Sequence, residues 1–188
     1  ARALARASRH GRVHVMYPMV IDLEQYRNLV KRFKNETADI SSGEIRHGLM
    51  FEVPSACLEA ESILKEADFG SIGTNDLIQY LFAVDRDNEW VAYDHHPDRK
   101  IFWKLIHDIA KAAKKHRKPL SVCGEIASNP EYVRQLIREG IRTVSVAPRA
   151  ITRLRVAIKN KPELRKRNGR NIVSARKKTK NRKKRGGT

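Results

Sequence analysis

A short, mostly apolar, β-rich run, "VHVMY" at residues 13–17, gives way to a helical pattern over 23–34. A short apolar run rich in β-branched and aromatic residues marks a strand, and spacing of three to four marks an amphipathic helix. The same change of pattern recurs along the chain. An apolar run at 49–51 reaches Glu52 and is followed by a helical stretch at 56–66. Residues 69–72 form a third strand, with a helix from about 76 to 84. A further helix at about 99–116 aligns Ile101, Phe102, Leu105, Ile106, Ile109 and Ala113 on one face. Residues 120–123 and 143–146 read as the last two strands, and 148–158 as the last helix. Between them Ser128-Asn129-Pro130 opens a helix and Gly140 ends it, with Pro130 near N1.

Five βα units in succession predict an α/β fold, a parallel sheet with helices packed outside it. The pattern alone fits an open doubly wound sheet and part of a barrel equally well. Either way, Glu52, the Asn75-Asp76 pair and Cys123 fall at the C-terminal ends of strands. In parallel α/β folds that edge is where ligands bind.

Composition adds a second region. The chain has 188 residues and a formal net charge of +18. Residues 159–188 hold fourteen Lys/Arg against Glu163 alone, which accounts for +13 and leaves +5 for residues 1–158. The expected organisation is therefore a folded body, 1–158, and a basic tail, 159–188, disordered when free because it has too little apolar surface to bury. Such an arm binds nucleic acid through phosphates, and RNA, ribosomal RNA included, is one expected partner. A solubilising extension is the plain alternative. No apolar run reaches the ~18 residues of a membrane span, and no signal peptide is visible. Cys57 and Cys123 have neither zinc-site nor disulfide spacing, which points to a reducing cytoplasm. The chain opens "ARALARAS", without Met and in what reads as mid-helix, so a fragment of a longer chain is expected.

Glu52 and Asp76 supply hard oxygen donors. Mg²⁺ takes one or two carboxylates and fills its octahedron with water and substrate oxygens. The alternative is that each acid stabilises a helix N-terminus. Asn75 adds an amide donor and Arg86 a bidentate one, unless Arg86 is merely a surface charge beyond a helix. Cys123 in "SVCGE" is either a buried structural thiol or a general acid, since a free pKa of roughly 8.5 keeps it protonated at neutral pH. No neighbouring His marks it as a nucleophile. The His95–His96 pair in "YDHHPDRK" reads as a solvated loop.

Taken together, "VMYPMV", "GLMFEVPSA", "SIGTNDLIQYLFAVDRDNE" and "SVCGE" resemble the successive motifs of one domain. It is the phosphoenolpyruvate-binding domain of the phosphoenolpyruvate–protein phosphotransferases of the bacterial sugar phosphotransferase system. The resemblance covers about residues 1–158. It implies a partial (β/α)₈ TIM barrel made of about the last five βα units. It places Mg²⁺ on Glu52 and Asp76, the phosphate against Asn75 and Arg86, and Cys123 as the acid that protonates the enolate carbon as pyruvate forms. It also implies an upstream phosphohistidine domain, a phosphocarrier protein and a homodimer as partners.

Three departures stand out. His14 occupies the place of a phosphate-binding Arg, and losing one charged hydrogen bond costs about 1.5–3 kcal/mol. The family's first three strands and its phosphoacceptor domain have no counterpart in this chain, so the polypeptide alone is not expected to complete phosphate transfer. The basic tail is foreign to the family. The second expectation is accordingly a barrel scaffold, catalytically incomplete, whose tail does the work by binding nucleic acid.

Overall fold

In the computed structural model, which describes residues 1–159, the run "VHVMY" becomes strand β1, Val13–Tyr17. A short helix, α1 (Arg2–Ala7), precedes it. Helix α2 (Leu23–Glu36) starts at Asp22, whose carboxylate accepts the Gln25 backbone N–H at 2.7 Å. Strand β2 runs Ile45–Phe51, four residues longer at its start than the apolar run suggested. The helical stretch behind it is two helices, α3 (Pro54–Leu58) and α4 (Ala60–Glu66), broken at Glu59. Glu59 has turned its carboxylate to accept the Leu23 backbone N–H at 3.2 Å.

Strand β3 (Phe69–Gly73) passes directly into α5 (Thr74–Phe82), which Ala83 stops in the left-handed region at φ 53°. Helix α6 (Lys100–Lys115) buries Phe102, Leu105, Ile106, Ile109 and Ala113 as its spacing predicts, but Ile101 lies 48% exposed, off that face. Strand β4 (Leu120–Cys123) is followed by α7 (Pro130–Arg138), with Asn129 as its cap and Gly140 just beyond it at φ 93°. Strand β5 pairs only over Thr143–Val144, and α8 (Pro148–Lys159) closes the described chain.

All five strands are parallel, in the order β1-β2-β3-β4-β5. A doubly wound sheet reverses its order at a switch point, whereas a barrel adds each strand beside the last. The consecutive order settles the alternative in favour of the barrel arrangement. One sheet face, through Leu49, Phe51, Ile72 and Val122, packs on Ile63, Leu64, Ile106, Ile109 and Leu136, all fully buried. Each such side chain contributes roughly 1.5–3 kcal/mol relative to exposure. The other face carries His14, Met16, Met50, Ser71, Ser121 and Cys123, which line a cavity of about 490 Å³. The basic stretch 159–188 lies, except for its first residue, outside the described residues.

Candidate functional site

The C-terminal ends of β2, β3 and β4 bring Glu52, Asp76 and Cys123 to one rim. Glu52 is 3% exposed. Its Oε1 accepts the backbone N–H of Met19 at 2.7 Å. Met19 holds that N–H in place from the left-handed region, at φ 53°. The other oxygen, Oε2, lies so close to Gly73 that a Cβ there would stand 2.7 Å from it. Burial pushes the Glu52 carboxyl up from the ordinary carboxylate range, the Met19 N–H opposes this, and the charge and hydrogen bond of Asp76 raise it further. Asp76 is thus a near neighbour of Glu52 at the rim, an arrangement that favours a shared proton or a cation. Two hard carboxylates on adjacent strand ends fit what Mg²⁺ accepts. Among the described residues no three His, Cys, Asp or Glu side chains gather at a metal-binding distance, so further ligands would be water or substrate oxygens.

Asp76 is also the first-turn acid of α5, so its helix-dipole role coexists with its place at the rim. Glu52 does not cap a helix in this way, its bond going to the strand β1 side through Met19. Arg86 reaches Asp76 with Nη1 3.9 Å from Oδ1, both side chains part-exposed. A pair that long and wet contributes little stability, which leaves the guanidinium free to serve another anion.

The turn between β3 and α5 is locked to the loop after β4. Thr74, fully buried, donates its hydroxyl to the Cys123 carbonyl at 2.8 Å. The side-chain Oδ1 of Asn75 accepts the Glu125 backbone N–H at 3.0 Å. With Oδ1 held by that N–H, the amide nitrogen of Asn75 retains both of its protons for a ligand. Gly124 sits between them at φ 99°, and a Cβ there would lie 2.3 Å from Thr74 Oγ1. Only glycine satisfies both the angle and the space.

Cys123 points its Sγ to the Ile72 carbonyl at 3.5 Å, and Ser71 Oγ stands 4.0 Å away. Burial pushes the thiol up first; the Ser71 hydroxyl opposes this and the charges of Glu52 and Asp76 add to it. The thiol is protonated at neutral pH, a state suited to an acid rather than a nucleophile.

His14 stands apart. It lies three residues before the Tyr17↔Leu49 pair, whereas Glu52 lies three after it, a separation of about 20 Å along the sheet. It lines the same cavity with its ring 5.1 Å from that of Phe69. An imidazole is too short to span that gap.

His95 departs from the solvated-loop expectation. Its Nε2 lies 3.0 Å from the Asn75 carbonyl, part-buried, and because a carbonyl only accepts, Nε2 is the donor. Asp94 beside it pairs with Arg99, whose guanidinium lies over the Phe82 ring at 5.0 Å. Thr74, Met19 and His95 were not legible as site residues. Thr74 and Met19 act through a buried hydroxyl and a main-chain N–H, which carry no spacing signal, and His95 acts across a loop.

The family described as "PEP-utilising enzyme, PEP-binding domain" matches residues 1–162. A phosphoenolpyruvate-protein phosphotransferase of Streptococcus equinus is 40% identical over 164 residues, 84% of this chain and 28% of that protein. That of Haemophilus influenzae is 35% identical over 165 residues, 85% of this chain and 29% of that protein. The chain thus spans little more than a quarter of the curated relatives it matches. Among solved structures, a citrate lyase of Burkholderia xenovorans superposes with TM-score 0.60 at 16% identity, covering 86% of this chain and 53% of that one. A magnesium/glyoxylate complex of Haloferax volcanii malate synthase gives 0.58 at 12% identity, covering 85% and 47%. These two likenesses concern the fold alone. With a domain match over nearly all of the described residues, and the strand order and rim that go with it, the chain belongs to the PEP-utilising enzymes through their PEP-binding domain.

Proposed function

We propose that this chain is the phosphoenolpyruvate-binding part of a phosphotransferase that moves the phosphoryl group of phosphoenolpyruvate to a protein histidine and releases pyruvate. The observation that carries this reading is the neighbouring pair Glu52 and Asp76, beside an Asn75 amide whose oxygen is already engaged. Glu52 and Asp76 would hold Mg²⁺. Held there, Mg²⁺ would supply positive charge to offset that of the phosphoryl oxygens. The Asn75 NH₂ and the Arg86 guanidinium donate to phosphoryl oxygens, and Arg86 leaves its loose pairing with Asp76 to do so. Breaking the P–O bond leaves the enolate of pyruvate. The Cys123 S–H then delivers its proton to the enolate carbon, completing pyruvate and leaving a thiolate that solvent reprotonates. His14, too far down β1 to reach the rim, supplies no anion contact in this reading.

The phosphoacceptor histidine, a phosphocarrier protein, a homodimer and a role in sugar uptake from the cytoplasm belong to the same reading. The relatives' phosphotransferase name supports the protein acceptor, while the homodimer, the sugar uptake and the cytoplasmic setting follow from the motif resemblance alone. No helix among the described residues is long and apolar enough to cross a membrane. Calorimetric titration of the chain with phosphoenolpyruvate, with and without Mg²⁺, tests the reading. Mg²⁺-dependent binding that Asp76→Ala abolishes is expected. Binding indifferent to both the ion and the substitution would remove Asp76 from the metal site.

A further inference from the structure

Layers of side chains inside a parallel barrel are dominated by bulky branched apolar residues. One layer on the inner face of this sheet departs from that. Met50, Ser71, Ser121 and Thr143 stand in register across β2, β3, β4 and β5, so hydroxyls occupy three adjacent strands. Ser71 is 4% exposed, Ser121 is half-buried and Thr143 is exposed. All three line the cavity of about 490 Å³ that Cys123 also lines.

The direction of the hydrogen bonds follows from what each group is able to do. The Cys123 sulfur lies 3.5 Å from the Ile72 carbonyl, and a carbonyl only accepts, so the S–H is the donor there. Toward Ser71 Oγ, 4.0 Å away, the sulfur is left to accept, and the Ser71 hydroxyl donates. With its proton turned to the sulfur, Ser71 accepts from the Ser121 hydroxyl, whose Oγ lies 2.9 Å away. Both hydroxyl protons therefore point along the chain toward Cys123. The contact to the thiol is long, and negative charge on the sulfur would tighten it.

We propose that Ser121 and Ser71 are a proton-return relay for Cys123, carrying a proton from cavity water to the thiolate left when pyruvate forms. The proposal rests on the phosphoenolpyruvate reading of the site. In that reading the S–H bond breaks, its proton goes to the enolate carbon and its electron pair stays on sulfur. The thiolate then takes the Ser71 proton, Ser71 takes that of Ser121, and Ser121 takes one from solvent. One solvent proton is consumed per pyruvate, and rotation of the hydroxyls resets the chain. Ser71 pairs with Ser121, and Gly73 with Cys123, so the relay lies two residues, about 7 Å, below the thiol along the strands. Protons thus return from beneath, and water need not enter at the rim, where it would compete for the phosphoryl group. Ser71 and Ser121 act through Cys123 and are positioning residues.

Alkylation of Cys123 by iodoacetamide, followed against pH in the 188-residue chain, tests the donor chain without phosphoenolpyruvate. Ser71→Ala should raise the alkylation midpoint by about one pH unit, the worth of a hydrogen bond to a charged group. Ser121→Ala should raise it by less, and should add nothing in a Ser71→Ala background, because it acts only through Ser71. Each substitution removes an oxygen and adds no volume, and urea unfolding checks that both variants fold. Cys57, pushed up to about 12 by burial, stays unreactive in all of them. Exchange of pyruvate methyl protons with D₂O in the presence of Mg²⁺, followed by NMR, tests the role in the reaction. Each variant should slow it by about tenfold, and the double variant no more than Ser71→Ala alone. Midpoints that neither substitution moves, effects that simply add, or exchange unslowed in both variants overturns the relay. A wild-type chain that shows the midpoint shifts on substitution but catalyses no exchange overturns instead the phosphoenolpyruvate reading on which the relay's role depends.

Discussion

Asn75 accepts the backbone N–H of Glu125 with its side-chain oxygen at 3.0 Å, and so has its amide orientation set by the loop after β4. With its oxygen held by that N–H, Asn75 keeps both protons of its NH₂ as donors toward a ligand. Asn75→Asp keeps the acceptor for Glu125 but replaces the donor with a negative charge. Phosphoenolpyruvate affinity should then fall by about 10- to 100-fold, the worth of one charge-assisted hydrogen bond, with little change in stability. Calorimetry and denaturant melts together check this. A melt that shifts as much as the affinity would show a structural role instead.

Gly124 is the hinge of that same clamp. Gly124→Ala places a Cβ 2.3 Å from Thr74 Oγ1 at a φ of 99°. The fold should lose about 1–3 kcal/mol, read from urea unfolding. Gly140→Ala shares the positive φ, 93°, but meets nothing within 4 Å, so it should cost less. Equal losses at the two sites would mean that backbone strain alone, not the close approach to Thr74, constrains position 124.

His47 gives the fold a pH dependence. It is buried on the helix side of β2, with Nδ1 3.0 Å from the Tyr17 hydroxyl and its backbone N–H bonded to Asp68. Burial lowers its pKa below the usual imidazole range; Lys34 lowers it further and Asp68 opposes both. The unfolded chain therefore takes up this proton at a higher pH than the folded one. Stability from His47 is present above the ordinary histidine pKa of about 6.5 and is lost as pH falls below it. Melting temperatures from pH 8 to 5 should decline, and His47→Phe should flatten the decline. An identical profile in the variant would assign the effect to another group.

The thiol of Cys123 is held up partly by the charges of Glu52 and Asp76. A divalent ion on those acids would cancel them. Adding Mg²⁺ should therefore speed alkylation of Cys123 by iodoacetamide at pH 8, by a few-fold. Cys57, pushed up to about 12 by burial, is the internal control and should stay inert. Loss of the acceleration in Glu52→Gln would tie it to the acid pair, and acceleration that survives in that variant would count against a shared ion.

His95→Ala should loosen the residues around 85–99, because it removes the bond to the Asn75 carbonyl. Hydrogen exchange over that loop is the readout. His95→Asn, which keeps a donor, should restore part of the protection. Unaltered exchange in His95→Ala would return the residue to the solvated-loop reading.

The sequence pattern exposed some of this and hid the rest for physical reasons. Strands β1, β3 and β4 announced themselves because short apolar runs end in polar residues, and Glu52, Asn75, Asp76 and Cys123 were readable as rim positions on that basis alone. The start of β2 was hidden because "IRHG" carries a charge, an imidazole and a glycine, one of which, His47, is buried against Tyr17 and Phe33. The break at Glu59 was hidden because it depends on a carboxylate reaching a distant helix start. Barrel against open sheet was undecidable from periodicity, since both use the same units, and strand order alone separates them. His14 was assigned to the site by motif position, which ignores how far down β1 it lies.

The amide that moors Glu52 belongs to Met19, a residue held at φ 53° with its side chain 45% exposed. What position 19 supplies is a peptide unit, and the identity of its side chain is incidental. Saturation mutagenesis there should be nearly silent toward ligand, with two exceptions of opposite sign. Glycine should relax the twisted backbone and toughen the protein, and proline, having no proton on nitrogen, should set the acid adrift.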